Sequence, residues 1–259
     1  MQDSMYSALF GALSNEHRLN VIANNLANVN TTGYKQDRLA FEDTMSFFAH
    51  ERIMQPVLSL RDKELFPRPL HLSRVRLVDS KTDFAQGAMR ETGDPLDVAI
   101  VGEGFFKVRT QSGDMYTRDG HFVRNPEGVL STPQGFTVLA GGSEVTLPVN
   151  AVVRIDAQGQ VYVNEEQVGQ LDVVKLDKPE DLQKFGNNLY RLRPDSEAVE
   201  AEADQTEVAQ SYLEAPNVNV VEEMVNMIEA HRAFESYQKM ISSTQEMDER
   251  AIQKVGRTT

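Results

Sequence analysis

At both ends of the chain apolar residues recur every three or four positions, whereas the middle breaks into short apolar runs divided by glycine and proline. Near the N-terminus Met5, Leu9, Ala12, Leu19, Ala23 and Leu26 fall on one stripe of a helix, widened by Ile22 and Val29. Ser4 is a candidate N-cap, and Gly33, after Thr31 and Thr32, supplies a left-handed stop. The last stretch predicts a longer helix. It opens on Pro216, whose missing N–H would be an orphan there anyway, contains no interior proline or glycine, and closes at Gly256. Val220, Met224, Met227, Phe234, Ile241, Ile252 and Val255 form its seam, shared with His231, Gln238, Gln245 and Asp248. Such a helix spans about 60 Å, more than a globular domain requires. A narrow seam of that length must be covered by a second helix or a second chain, and the N-terminal helix is the natural partner.

The middle reads differently. All ten prolines lie between Pro56 and Pro216, and every glycine except Gly11, Gly33 and Gly256 lies between Gly87 and Gly186. Candidate strands cover 96–101, 105–110, 115–117, 121–124, 129–131, 137–139, 145–147, 152–155, 161–163, 171–175 and 189–193. Between several of them lie turns such as Gly102-Glu103-Gly104, Asn125-Pro126-Glu127-Gly128 and Gly141-Gly142. No long helical pattern separates the strands, which predicts antiparallel meanders. Residues 178–185 suggest one or two helical turns. Phe41, Met45, Phe47 and Phe48 suggest a short amphipathic element, and the charged, proline-bearing stretch 56–69 an extended connector. The predicted class is α+β: a discontinuous helical, coiled-coil domain from both termini with an inserted all-β antiparallel domain. Its parts are 1–35, the N-terminal helix; 36–80, a connector; 81–214, the β-rich body; and 215–259, the C-terminal helix.

Composition narrows the function. A chain of 259 residues with 40% hydrophobic residues can bury a real core, and with no cysteine it has no disulfide, thiolate metal site or thiol nucleophile. The net charge of −13 disfavours phosphate-driven nucleic-acid binding. Much of that charge is local, in Asp195, Glu197, Glu200, Glu202, Asp204 and Glu207, which read as a solvated loop or edge. No early basic residue or sufficiently long apolar run marks a cleaved secretion signal or a membrane span. His17, His50, His71, His121 and His231 are scattered without metal-ligand spacing. Gly102-Glu103-Gly104 continues into a strand and lacks the third glycine of a phosphate loop, while Ser131 and Ser143 lack a nucleophile elbow. Asp94, Asp97, Asp114 and Asp119 sit in or beside turns; a carboxylate hydrolase would have to be built from them. A carbohydrate-binding β module is the other rival. The expectation is therefore no catalytic residue, no cofactor and no metal.

Asparagine is the anomaly. Asn24, Asn25, Asn28 and Asn30 crowd the end of the first helix, and Asn217, Asn219 and Asn226 the start of the last. Capping accounts for Asn30 and Asn217. It accounts poorly for Asn24, Asn25 and Asn226, because asparagine is a mediocre helix-interior residue. Amides within packed helices fix register and partner at some expense of stability.

The run from Asn24 to Lys35, Asn-Asn-Leu-Ala-Asn-Val-Asn-Thr-Thr-Gly-Tyr-Lys, closely resembles the N-terminal signature of bacterial flagellar rod and hook proteins. Leu96 to Phe106, Tyr116-Thr117-Arg118-Asp119-Gly120 and Gly128 to Phe136 resemble the family's central β motif, and Asn217 to Glu235 its C-terminal helix. Residues 168–174 and 182–190 look most like proximal-rod members, while the run from Asn217 to Glu223 is similar to distal-rod members too. The resemblance implies a non-enzymatic building block of the basal-body axis, homo- and hetero-polymeric, exported through the flagellar type III apparatus without signal cleavage. Rod subunits are the implied partners, with no nucleic acid and no direct membrane insertion, and the implied location is the rod spanning the periplasm. The residues it implicates in assembly and helix packing are Leu19, Ile22, Asn24, Asn25, Leu26, Asn28, Asn30, Gly33, Asn217, Asn219, Val220, Met224, Met227 and Phe234. Among them Leu26 and Met224 are expected in helix packing, and Asn24, Asn25 and Asn219 in register between subunits.

Overall fold

The computed structural model describes residues 2–45, 73–149, 151–196, 198–202 and 206–256. The chain forms two compact units, one of Met1–Asp37 with Thr82–Thr259 and one of Arg38–Lys81. In the smaller unit the strands Asp37–Met45 and Ser73–Thr82 pair as a two-stranded ribbon. Phe41 and Met45 thus belong to a strand, where a short amphipathic element was expected; Phe47, Phe48 and most of the predicted connector lie outside the described residues.

The larger unit has the α+β composition that the patterning predicts: terminal helices around a central antiparallel β region. Helix α1 runs Gln2–Ala27 and helix α2 Val220–Gly256, and the two pack against each other. They run antiparallel. The end of α1 and the start of α2 meet at one level, where the Gly33 N–H donates to Glu214 O at 2.8 Å and the Gln36 N–H to Asn217 Oδ1 at 2.8 Å. Farther out, Gly11 admits the Tyr237 ring so closely that a β-carbon there would lie 2.5 Å from it.

Small residues set this approach and shift the seam. Among the described side chains of α1, Ala8, Ala12, Ile22 and Asn25 are buried, while Leu9 and Ala23, expected on the stripe, point away. On α2 the inner face centres on Ala230, Tyr237 and Thr244, seven residues apart, so Met227 and Phe234 are half-buried but Met224 is 50% exposed. Apolar residues cover more of each helix than its partner can reach, which is why Leu9 and Met224, on the expected stripes, stay exposed beside the pair.

The largest sheet has ten strands among the described residues, all antiparallel. Its spine runs from Leu182–Gly186 through Leu189–Leu192, Gly113–Thr117, Phe105–Thr110 and Thr137–Ala140 to Leu130–Ser131 and Val123–Arg124. The meander Val153–Ile155, Gln160–Val163 and Glu166–Gln170 stands beside it. Alternating inward residues, among them Val98, Phe106, Val108, Phe122, Val138 and Val161, make the main core. A second cluster of Phe105, Tyr116, Leu176, Leu182 and Tyr190 is closed by Phe84, whose ring meets Phe105 and Tyr190 edge-on at 5.4 Å each.

Three sequence expectations are corrected and one is made more specific. Helix α2 starts at Val220 and not at Pro216, because 207–217 is still extended: Glu207–Gln210 pairs with Val98–Val101 and Tyr212–Glu214 with Met89–Glu91. Asn219, not Asn217, is the cap, its side chain accepting the Val221 N–H at 3.2 Å. Of the one or two helical turns expected at 178–185 one forms, the 3-10 turn Pro179–Asp181, and the strand Leu182–Gly186 follows it. The strand expected at 145–147 is Ser143–Glu144, its position set by the Gly141-Gly142 hairpin turn, while Val145 and Leu147 fill the core. Part of the acidic run is an edge strand, Glu200–Glu202, because Lys107 meets Glu200 at 2.8 Å.

Candidate functional site

The positions that carry the sequence signature converge at the foot of the helices. Past Ala27 the chain turns through Asn28, whose N–H reaches Asn24 O and Asn25 O at 3.2 Å and whose side chain donates to Asn24 O at 2.9 Å. Gly33 then takes φ +66°, and a β-carbon there would lie 2.5 Å from the Arg118 carbonyl carbon and the Asp119 nitrogen. Only glycine allows this backbone-on-backbone contact. Thr32 on one side donates its hydroxyl to Asp119 Oδ1 at 2.7 Å, and its carbonyl accepts from Asn188 Nδ2 at 2.7 Å. Asn188 is delivered by the tight turn Asn187-Asn188, both at positive φ (50° and 56°), a conformation asparagine tolerates.

Tyr34 and Asn25 tie the helix to this segment. The Tyr34 hydroxyl donates to Asn24 Oδ1 at 2.8 Å and Asn25 Oδ1 at 3.1 Å, and Asn25 brackets Asp37 by accepting its N–H and donating to its carbonyl, both at 3.0 Å. Asn25 is only 2% exposed. Its mid-helix amide, expected to face another subunit, bonds within its own chain.

The centre is a buried charge cluster. Lys35 Nζ lies 2.6 Å from Glu214 Oε1 and donates to Ala85 O at 2.8 Å; Arg118 Nη1 reaches Glu214 Oε2 at 3.4 Å, and its Nη2 donates to Gly102 O at 2.6 Å. The Gly87 N–H gives Glu214 a further donor at 2.7 Å. Burial lowers the Lys35 pKa and Glu214 opposes it; burial likewise lowers that of Arg118. Burial raises Asp119, against the hydrogen bonds from Thr32 and the His121 N–H, and holds Tyr34 and Tyr190 well above the usual phenol range. Beside the cluster Asn217 accepts the Gln36 N–H and donates to Asp83 O at 2.8 Å, locking the approach to α2 onto the irregular segment that leads into the β body.

Of the residues expected from sequence, Asn24, Asn25, Asn28, Gly33 and Asn217 meet here. Leu19, Ile22, Leu26, Val220, Met227 and Phe234 are buried or half-buried, whereas Asn30 and Met224 face outward and Asn219 caps α2. Sequence reasoning missed Lys35, Arg118 and Glu214 as a unit. The first two stand inside quoted motifs; Glu214, alone among apolar residues before Pro216, gave only the weak signal of a carboxylate on an inward strand position. The four aspartates of the hydrolase alternative are held by their own chain: Asp94 accepts the Leu96 N–H, Asp97 meets His121 Nδ1 at 2.6 Å, Asp114 meets Arg109 at 3.0 Å, and Asp119 holds Thr32. Among the described residues no helix is long and apolar enough to cross a membrane.

What this junction provides is attachment. Residues 31–37 from one end of the chain and 214–217 from the other are fastened to the same β body, so both helices leave it from one fixed base, as in a structural subunit. The comparisons agree. The family described as flagella basal body rod protein matches residues 5–35, the flagellar hook protein FlgE/F/G D1 domain 99–163, and the flagellar basal body rod FlgEFG protein C-terminal family 209–254. The chain is 34% identical to the flagellar basal-body rod protein FlgF of Caulobacter vibrioides over 99% of both proteins. It is also 34% identical to the rod protein FlgG of Buchnera aphidicola subsp. Baizongia pistaciae, over 95% of this chain and 97% of that protein, and 32% identical to FlgF of Mesorhizobium japonicum over 99% of both. The chain belongs to the flagellar basal-body rod protein family, the structural subunits of the rod.

Proposed function

We propose that the chain is a proximal-rod subunit whose terminal helices polymerise as an inner coiled-coil layer of the axis, with the β body packed outside. In this reading 1–35 and 215–259 form one discontinuous helical domain, 81–214 the outer domain and 36–80 the connector between layers. The junction is the observation that carries it: a helical pair fastened through the buried Lys35, Glu214 and Arg118 passes a twisting load to the β body without a flexible hinge. The subunit leaves the cell through the flagellar type III export apparatus with no cleaved signal, and its partners are copies of itself and other proximal and distal rod subunits. A distal-rod position is the second reading, supported by the equal 34% identity to an FlgG protein. Deletion of the gene followed by electron microscopy of purified basal bodies tests both. A rod truncated near its base supports the proximal assignment and one stopped farther out the distal; complete, rotating flagella overturn the axial role.

A further inference from the structure

Beside the junction a cleft of about 640 Å³ opens between the end of α1 and the β body, a size usual for a small-ligand site. Asn20, Asn24 and Asn28 recur at i, i+4 and i+8, which lines up three side-chain amides along one wall at steps of about 6 Å. From the β body come Gln134 and the turn Asn187-Asn188, with Lys184 beside them. We infer that this cleft is a binding site for a neutral, polyhydroxylated ligand, a short glycan. Among the described residues the side chains of Asn20, Gln134 and Asn187 have no hydrogen-bond partner, and Asn24 engages only its side-chain oxygen. Asparagine inside a helix costs stability relative to alanine. Asn20, unlike Asn25, gains no hydrogen bond within its own chain in return.

The charged groups of the lining, by contrast, are taken. Lys184 Nζ lies 2.9 Å from Asp37 Oδ1, donates to Lys35 O at 2.7 Å and rests 4.3 Å from the centre of the Tyr34 ring. Asp119 accepts from the Thr32 hydroxyl and the His121 N–H. Lys184 is the one cation among the lining residues, so an anion finds no free counter-charge there. Among the described residues no group of carboxylates and histidines is placed to hold a metal ion. An extended peptide is gripped through a sheet edge or by apolar anchors, whereas this cleft offers amides. A carboxamide presents one acceptor and two donors, and a hydroxyl is both donor and acceptor, so neighbouring hydroxyls of a sugar ring satisfy it without a counter-charge. A ladder of amides suits a chain of such rings better than a single one.

The test titrates the whole free chain, with isotope-labelled side-chain amides, against maltotriose, cellotriose and tri-N-acetylchitotriose, and its outcome is independent of any place in a rod. At least one sugar is expected to shift the Asn20, Asn24 and Asn187 amide signals to saturation. Asn20→Ala with Asn187→Gly should weaken that binding about tenfold. The unfolding midpoint should not fall, because alanine favours the helix and glycine keeps the positive φ of residue 187. Saturable shifts from none of the sugars overturn the assignment, as does unchanged affinity in the double variant. If that variant does not fold, Gln134→Ala on its exposed turn takes its place under the same criteria. Shifts of these amides by acetyl-tetraglycine amide but by no sugar would assign the cleft to a peptide main chain, and shifts by inorganic phosphate alone to an anion; either result overturns the glycan.

Discussion

A lysine that is 1% exposed is costly unless its charge is answered, and Lys35 is answered by Glu214 at 2.6 Å and by a backbone carbonyl. Removing Lys35 leaves the buried Glu214 with only the longer 3.4 Å contact to Arg118 and the Gly87 N–H. Lys35→Met is therefore expected to lower the unfolding free energy by about 3 kcal/mol, seen as a lower urea midpoint at unchanged slope. Arg109→Ala, which breaks an exposed pair with Asp114, is expected to cost no more than about 1 kcal/mol. Replacing the whole cluster, Lys35→Met with Glu214→Met and Arg118→Met, should recover part of the loss, because an apolar cluster needs no counter-charge; equal effects of Lys35→Met and Arg109→Ala would mean the cluster does not hold the junction. These residues also mark a limit of sequence reading. Asn25 could be flagged as a misplaced amide because helix propensity is local. Its actual partner, the backbone of Asp37, and the partner of Lys35, 179 positions away, are products of the fold and leave no periodic trace.

Elements were legible where local chemistry defines them. Strands bounded by glycine turns, such as Phe105–Thr110, could be read directly, as could the existence of both helices. The Glu-rich strands after residue 199 could not, because their partners are distant: Glu200–Glu202 is held by pairing with Val173–Leu176 and by a lysine and a tyrosine across the sheet. Burial pushes the Glu200 carboxyl up, but hydrogen bonds from Lys107 and Tyr116 more than offset this and leave it below its ordinary value of 4.5. A carboxylate so depressed adds stability above its unfolded pKa and loses it as pH falls through the folded value. Acidification from about pH 6 to about pH 3 is thus expected to release this edge strand, measured by hydrogen exchange at 174–176 and 200–202, and Lys107→Met should diminish that pH response. Between the helices the critical position is Gly11. Gly11→Leu drives a side chain into the Tyr237 ring and should separate the outer halves of the pair while the β body keeps its midpoint; unchanged protection of α1 amides in that variant would refute the tight contact.

At the scale of the whole molecule, stability is distributed unevenly along the helices. Ordering each residue costs about 1–2 kcal/mol, and the outer part of α1 offsets this with little, since among the described side chains there Ala8 and Ala12 are buried while Leu9, Phe10 and Leu13 face outward. At the junction the account reverses: Ile22, Asn25, Tyr34 and Lys35 are all buried, and side-chain hydrogen bonds cross from helix to β body. The pattern of a seam without a globular core could be read from the sequence, but the place where the seam is anchored could not. In dilute free chain, amide exchange is therefore expected to be slow at 22–37 and throughout the main sheet and fast at 5–14. The outer turns should become protected only in assembled rods, where a neighbour covers the remaining apolar surface and offsets the ordering entropy. Uniformly strong protection along the whole of α1 in the dilute monomer would show that the pair is self-sufficient and that assembly adds contacts to a finished structure. A gradient running outward from Gly33 would show that the rod completes the fold of its own subunit.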